Sequence, residues 1–356
     1  MRIALLTSTP LDFVRGSGTY AGIATLARAA QARGAGLRIF TPSRHFPVYT
    51  LERLWFNLQL RRANFSGFDA VVGFDLDGCF AAGRHGAPHV ASIKGVIADE
   101  LRFERGTTRR TMQLQARLER RHVCAADMVL TTSRYAAERI RKLYGLAQPP
   151  RIVPECIDLE AWDQLFRSNP AAPDPAKFVV LCVCRFYPRK RLPVLLRAAA
   201  LLRARVPQLE IRIVGGGPEE TRLIGLWHSL RLERSVRWLG NIAQPALARE
   251  YQACDVFCLP SVQEGFGIVF LEAMAAAKPV VAAHAAAVPE VVTDGTTGVL
   301  AEPDSEEALA AALERIYEDV KLRKRLGEAG RSAVAQYEAR RVAGLFLAEV
   351  AALTGA

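Results

Sequence analysis

Long apolar runs are missing from this chain of 356 residues. No stretch approaches the ~20 residues that a membrane-spanning helix needs. The densest, Ala273 to Val288, is interrupted by Lys278, Pro279 and His284. The opening MRIALLTSTP holds too short an apolar segment for a secretory signal and reads as a first strand. Cysteine is scarce: the seven residues are odd in number and scattered through predicted strands and helices. Neither Cys182 with Cys184 nor Cys254 with Cys258 has a zinc-ligand spacing, which points to reduced core thiols in a cytoplasmic protein and to no metal site. Acid is the charge in deficit, 36 Asp and Glu against 47 Lys and Arg, a balance of +11. Such an excess favours an anionic partner: nucleic acid, a membrane surface or a phosphorylated small molecule. Seven arginines between Leu101 and Ala125 (Arg102, Arg105, Arg109, Arg110, Arg117, Arg120, Arg121) face only Glu104 and Glu119, 7 − 2 = +5 in a predicted helix. No nucleic-acid motif surrounds them and no aromatics are interleaved, so nucleic acid is not the expected partner.

What is present is an alternation of short β-branched runs with Ala/Leu/Arg-rich helical segments, the pattern of parallel sheets covered by helices. Strands are expected at Ile3 to Thr7, Leu37 to Thr41, Ala70 to Phe74, His89 to Ile93 and Met128 to Thr132. A proline-rich passage from Pro149 to Pro175 reads as a linker. The pattern then restarts at Phe178 to Cys184, Glu210 to Gly215, Val236 to Gly240, Val256 to Pro260 and Pro279 to Ala283. The expectation is an α/β protein of two facing, doubly wound domains, 1–168 and 169–337, with ligands at the strands' carboxyl ends in the cleft between them. The last helix, within 338–356, has no strand after it and is expected to pack back on the first domain.

One passage carries chemistry. After the strand VFCLP come Ser261 to Glu264, then Gly265-Phe266-Gly267, then a helix that Pro279 stops. Glycines let a backbone approach a ligand closely, and a helix start offers unpaired N–H groups suited to phosphate. Glu272, in the first two turns, can take both hydroxyls of a ribose, and Glu264 can take sugar hydroxyls. A dipole-favoured helix start with a solvated glutamate is the plainer alternative.

The whole string EGFGIVFLE resembles the E-x7-E element of the retaining glycosyltransferase family 4, whose fold is GT-B. The resemblance covers nearly the whole chain and continues through VPEVVTDGTTGVL (288–300), CRFYPRKR (184–191), VGGGPEE (214–220) and LERRHVCAADMVLTTSRY (118–135). It implies a nucleotide-sugar-dependent hexosyltransferase of polysaccharide or related biosynthesis, retaining and metal-independent, with no cofactor beyond a nucleoside diphosphate sugar, UDP- or GDP-linked. In that reading Glu264 holds the donor sugar and Glu272 the ribose. Gly265, Phe266, Gly267, Ile268 and Val269 line the donor between them. Arg185 and Lys190, just past a strand, take the charge of the departing diphosphate as forked donor and point charge. Gly217 resembles the family's loop near the nucleotide. Gly16 and Gly18, in RGSGTYAG, resemble the loop that meets the donor phosphates. A dinucleotide-binding reading of that last stretch also exists. Against it stand the eight residues after Thr7 and the lack of an acid after the second strand.

Four positions depart from the family pattern. Lys94 stands where a histidine often faces the donor sugar, which implies either a cation that selects an acidic sugar or phosphorylated acceptor, or a merely solvated lysine. Arg15 stands for a glycine. Ala286 and Ala287 stand where two glycines often precede Val-Pro-Glu, and Glu155-Cys156 replaces Asn-Gly. On the acceptor side, Leu54, Trp55, Phe56, Leu58 and Leu60 cluster with Arg53, Arg61 and Arg62. With the arginine-rich segment after Leu101 they suggest either peripheral contact with an anionic membrane or a core-packed helix with a solvated basic face. Two rival classes remain open: an epimerase or phosphorylase on the same architecture, and a non-catalytic anionic-surface binder.

Overall fold

The structure, a computed structural model, describes residues 1–9, 18–44, 46, 48–84 and 86–355. The chain begins β1 (Arg2–Leu6), α1 (Gly18–Ala32), β2 (Gly36–Phe40), α2 (Tyr49–Leu60), β3 (Ala70–Phe74), β4 (His89–Ile93), α3 (Ile97–Glu100), α4 (Gly106–Ala125), β5 (Met128–Thr131), α5 (Arg134–Tyr144) and β6 (Arg151–Ile152). It continues through α6 (Leu159–Ser168), β7 (Phe178–Val183), α7 (Leu192–Leu202), β8 (Leu209–Val214), α8 (Glu220–Ser229), β9 (Val236–Gly240), α9 (Gln244–Ala253) and β10 (Val256–Leu259). Last come α10 (Ile268–Ala275), β11 (Val280–Ala283), α11 (Val288–Val291), β12 (Gly298–Ala301), α12 (Glu306–Glu318), α13 (Val320–Ala333) and α14 (Ala339–Thr354).

Two compact units result, Met1–Cys156 with Ala339–Ala356, and Ile157–Glu338. In the first, an all-parallel sheet has the order β2-β1-β3-β4-β5-β6. Its inner strands β1, β3, β4 and β5 are largely buried while the edge strands β2 and β6 are largely exposed, and the two-residue side-chain period assigns the buried faces. Ile3 and Leu5 pack with Ile23, Leu26 and Ala30 of α1 and with Val342, Phe346 and Val350 of α14. Ala4 and Leu6 turn the other way, to Phe56 and Leu60 of α2. The final helix therefore closes one face of the first sheet.

The second unit repeats the plan with the order β12-β11-β10-β7-β8-β9, again all parallel. The boundary falls at 156/157 rather than at the expected 168/169. The reason is α6: Trp162, 6% exposed, stacks edge-on against the buried Tyr251 of α9 at 5.7 Å, so this helix shares the second core. Of the prolines expected to mark a linker, Pro149, Pro150 and Pro154 lie in the first unit, and Pro170, Pro173 and Pro175 lie beyond α6, inside the second.

Candidate functional site

In the second unit the chain enters at β7, winds outward to β8 and β9, then crosses back to β10 on the other side of β7. Loops at the carboxyl ends of β7 and β10 therefore diverge, and such a switch point is where doubly wound sheets receive ligands. The loop after β7 is held by the loop after β8. The Phe186 N–H donates to the Gly216 carbonyl at 3.0 Å, and the Glu219 N–H donates to the Phe186 carbonyl at 3.1 Å. A Cβ on Gly215, whose φ is +126°, would stand 1.9 Å from the Cys184 carbonyl oxygen, and one on Gly217 would stand 2.7 Å from the Phe186 nitrogen. These glycines are required because two backbones touch; the contact of Gly217 seen here is with the protein's own chain.

Within the β7 loop, Pro188–Lys190 forms one 3-10 turn, and the Arg189 carbonyl accepts from the Val262 N–H at 3.0 Å. That bond ties the β7 loop to the β10 loop and brings Lys190 to Glu264. Lys190 Nζ lies 2.5 Å from Glu264 Oε1, and Ser261 Oγ donates to the same oxygen at 2.7 Å. Glu264 is 8% exposed. Both contacts fall on Oε1. Arg185, half-buried on the same loop, has no ion pair or side-chain hydrogen bond among the described residues.

Past Glu264 the turn ends at Gly267, whose φ of +98° favours glycine and whose Cβ would meet the Phe270 ring at 2.5 Å. Gly267 occupies the N-cap of α10, where no side chain caps the helix. The Phe270 N–H donates to the Gly267 carbonyl at 3.0 Å, and the amides before it make the positive end of the helix. Glu272, one turn beyond Ile268, shares its face. Its Oε2 accepts from the Tyr251 hydroxyl at 2.7 Å, and burial pushes its carboxyl up to about 7. Phe266 is 5% exposed and edge-on to Tyr337 at 5.3 Å, so only its backbone can serve a ligand. Val269 packs against the core, while Ile268 is half-buried. After β11, Ala286 adopts a φ of +51°, and the Ala287 N–H reaches the Glu264 carbonyl at 3.4 Å.

The structure thus gathers Lys190, Glu264 and the start of α10, with Glu272 one turn along. Tyr251 and Ser261 were not singled out from sequence. Ser261 had a signal, the S-x-x-E spacing to Glu264; Tyr251 had none.

The remaining expected residues belong to the first unit. Gly16 and Arg15 lie outside the described residues, and Gly18 is the first residue of α1. Lys94, at the end of β4, is not a free cation: its Nζ is 3.1 Å from Glu155 Oε2, the two side chains being 4% and 6% exposed. Two departures from the family pattern are thus one buried ion pair. Arg53, expected in a basic surface cluster, is instead 7% exposed, donating from Nε to Ser8 Oγ at 3.1 Å and lying 3.7 Å from Asp77. Asp75, just past β3, has a φ of +54° and accepts the Lys94 N–H at 2.8 Å; burial pushes its carboxyl up to about 6.

Comparison with known proteins bears on the family and the fold. The family model described as Glycosyltransferase Family 4 matches residues 16–161, and that described as Glycosyl transferases group 1 matches residues 164–333. A GDP-mannose-dependent alpha-(1-6)-phosphatidylinositol monomannoside mannosyltransferase of Mycolicibacterium smegmatis is 31% identical over 226 residues, 58% of this chain and 57% of that protein. The chain spans about half the length of the curated relatives it matches. Among solved structures, sucrose-phosphate synthase from Thermosynechococcus elongatus superposes with a TM-score of 0.83 at 23% identity, covering 99% of both chains. Anabaena HepE in complex with UDP and glucose superposes with a TM-score of 0.73 at 19% identity, again covering 99% of both. At such identities these structures speak for the fold alone.

Proposed function

The chain belongs to the family 4 glycosyltransferases of GT-B fold, and from that premise we propose that it moves a hexosyl group from a nucleoside diphosphate sugar to an acceptor hydroxyl, with retention and without a metal. The observation that carries the reading is the convergence at one switch point of Lys190, Glu264 and the uncapped start of α10. Each part has a task. The first amides of α10 and the cations Lys190 and Arg185 receive the diphosphate, whose charge grows as the glycosidic bond breaks. Glu264, locked through Oε1 by Lys190 and Ser261, offers Oε2 to the sugar hydroxyls. Glu272, oriented by Tyr251, takes the ribose. No side chain of this site is assigned as general base; the departing diphosphate accepts the acceptor's proton on the face it leaves, which gives retention.

The donor is a UDP- or GDP-sugar. The mycobacterial relative's name specifies GDP-mannose and the HepE structure holds UDP and glucose, so both bases deserve trial. The acceptor is a glycan, a lipid-linked sugar or a small molecule, met in the cytoplasm or at the inner face of an anionic membrane.

The test is to incubate the protein with chelator, an acceptor and each of several UDP- and GDP-sugars, following release of UDP or GDP and the anomeric configuration of the product by NMR. Release from one base class with an α-linked product is expected from an α-linked donor. An inverted product, or release only when a divalent metal is restored, overturns the mechanism.

A further inference from the structure

The first sheet has a switch point of its own. Its chain enters at β1, steps outward to β2, then crosses back to β3 on the other side of β1, so the loops after β1 and β3 diverge. The loop after β3 carries two aspartates. Asp77, wholly buried, ties that loop to the end of β1. Its Oδ2 accepts from the Ser8 N–H at 2.6 Å and the Ser8 hydroxyl at 2.7 Å, and its Oδ1 accepts from Asn57 at 3.0 Å. Asp75, half-buried, is held on one side only. Its Oδ1 accepts from the Lys94 N–H at 2.8 Å and the Gly95 N–H at 3.4 Å, while Oδ2 has no hydrogen bond or ion pair among the described residues.

The backbone under that free oxygen is strained and locked. Asp75 has a φ of +54°, in the left-handed region that residues with a side chain seldom enter. Two buried histidines grip it there. The His122 Nδ1–H donates to the Asp75 carbonyl at 2.5 Å, and His122 Nε2 lies 2.8 Å from His89 Nε2. A carbonyl only accepts, and burial pushes His122 down to about 4, so its ring is neutral and its Nε2 accepts the His89 Nε2–H. A Cβ on Gly73 would stand 1.9 Å from the Asp77 carbonyl oxygen and 2.8 Å from the His122 ring, so the pair is seated against glycine. Charge divides the same way. The two buried cations beside the crevice are taken, Arg53 lying 3.7 Å from Asp77 and Lys94 3.1 Å from Glu155. Asp75 is the third carboxylate and has no cation bonded to it; burial pushes it up to about 6. Burial also raises Glu119 of α4 well above the ordinary carboxylate range, which keeps that neighbour neutral.

We propose that Asp75 is the acceptor-selecting carboxylate of this transferase, its Oδ2 taking a hydroxyl of an uncharged sugar or polyol and turning phosphorylated acceptors away. A carboxylate oxygen with free lone pairs accepts from hydroxyl groups and repels a phosphate. Lys94, expected from sequence either to select an acidic ligand or to lie in solvent, does neither: its Nζ is occupied by Glu155, and its N–H serves Asp75. A strained carboxylate kept without a partner against the penalty of burial fits a ligand site rather than a structural one. The inference rests on the transferase reading, since group transfer is what gives the bound hydroxyl a use. Sugar binding by the first unit and nucleotide binding by the second are measured separately and fail separately.

The experiment uses the full chain in saturation-transfer NMR above neutral pH, with and without UDP or GDP. The probes are glucose, mannose, fructose and myo-inositol, each beside its monophosphate ester. The variant is Asp75→Asn, which keeps the oxygen that receives Lys94 and Gly95 and replaces Oδ2 by an amide nitrogen. At least one unphosphorylated probe should bind the wild-type chain, and its ester at least about tenfold more weakly. Asp75→Asn should weaken the parent probe by about tenfold and narrow the gap to the ester. The variant should melt no lower than wild type, because burial disfavours the ionised carboxylate that it removes. Its thermal response to UDP or GDP should be that of wild type. Sugar binding that depends on Asp75, in a chain that answers to no nucleotide, keeps the hydroxyl site and removes the transferase reading. Binding of none of the four parent probes overturns the proposal, as does tighter binding of an ester than of its parent. An Asp75→Asn protein that binds sugar as wild type does also overturns it. Lost binding accompanied by a lowered melting temperature makes Asp75 a structural residue and overturns it too.

Discussion

Replacing Lys190 by alanine separates the site's two tasks. The lysine makes a charge-assisted contact of 2.5 Å to Glu264, with side-chain exposures of 13% and 9%. Once it is gone, the carboxylate keeps Ser261 Oγ but loses its counter-ion. Hydrogen bonds to charged groups are worth about 1.5–3 kcal/mol, so Lys190→Ala should cost the second unit about 2 kcal/mol, or roughly 4–8 °C in melting temperature. The chemical step should suffer more. A fixed donor lost from a site of developing negative charge typically costs 10²–10³ in rate, about 2.7–4 kcal/mol. Steady-state release of the nucleoside diphosphate, measured well below the variant's melting temperature, should show kcat/KM down by at least about tenfold. Pairing the change with Glu264→Gln should return most of the lost stability, because the stranded charge goes with it, yet none of the activity. A folded Lys190→Ala protein with near-normal turnover would refute the reasoning.

Further outcomes follow from the same geometry. In the proposed donor site the Glu272 carboxyl, held up to about 7, would accept ribose hydroxyls best when ionised. Nucleotide affinity should therefore weaken as pH falls through 7 towards 6, by up to about tenfold per unit, with proton release on binding near neutrality. Calorimetry in buffers of different ionisation heat would show this, and Glu272→Gln should flatten the profile. Lys94→Ala should cost about 3–5 kcal/mol by stranding the buried Glu155, while Lys94→Met with Glu155→Leu should recover most of it in denaturant titrations. If the double change costs as much as the single, the loss does not come from a stranded Glu155 charge and the reasoning fails. Ala286→Gly should stabilise the second unit by about 0.5–1 kcal/mol, since a φ of +51° suits glycine better than alanine. A lowered melting temperature would refute that.

The ten strands expected from sequence correspond to β1–β5 and β7–β11, because buried parallel strands are written as β-branched runs between turn signals. The two overlooked strands lack that mark. The exposed two-residue β6 lies between Pro150 and Pro154, and β12 opens on Gly298, where a Cβ would come within 2.3 Å of the Val280 carbonyl oxygen. The domain boundary was misplaced because Pro170 to Pro175 punctuates the sequence more loudly than the break at 156/157, which Trp162 decides by packing. At the site, the E-x7-E string and the Arg185/Lys190 loop were legible because each lies within one turn and its helix. The contacts that position them were not. Lys190 meets Glu264 across 74 residues and Lys94 meets Glu155 across 61, and no local spacing announces such pairs. Arg53 likewise looked like a surface cation until the fold carried it to Asp77.

The most direct test of the donor site is thermal stability in chelator with millimolar UDP, GDP, ADP or dTDP. A ligand at about 100 times its dissociation constant adds about 2.7 kcal/mol. The account predicts a clear rise with UDP or GDP that Glu272→Ala and Lys190→Ala diminish. An unchanged melting temperature with all four, or a rise that both variants retain in full, would contradict it.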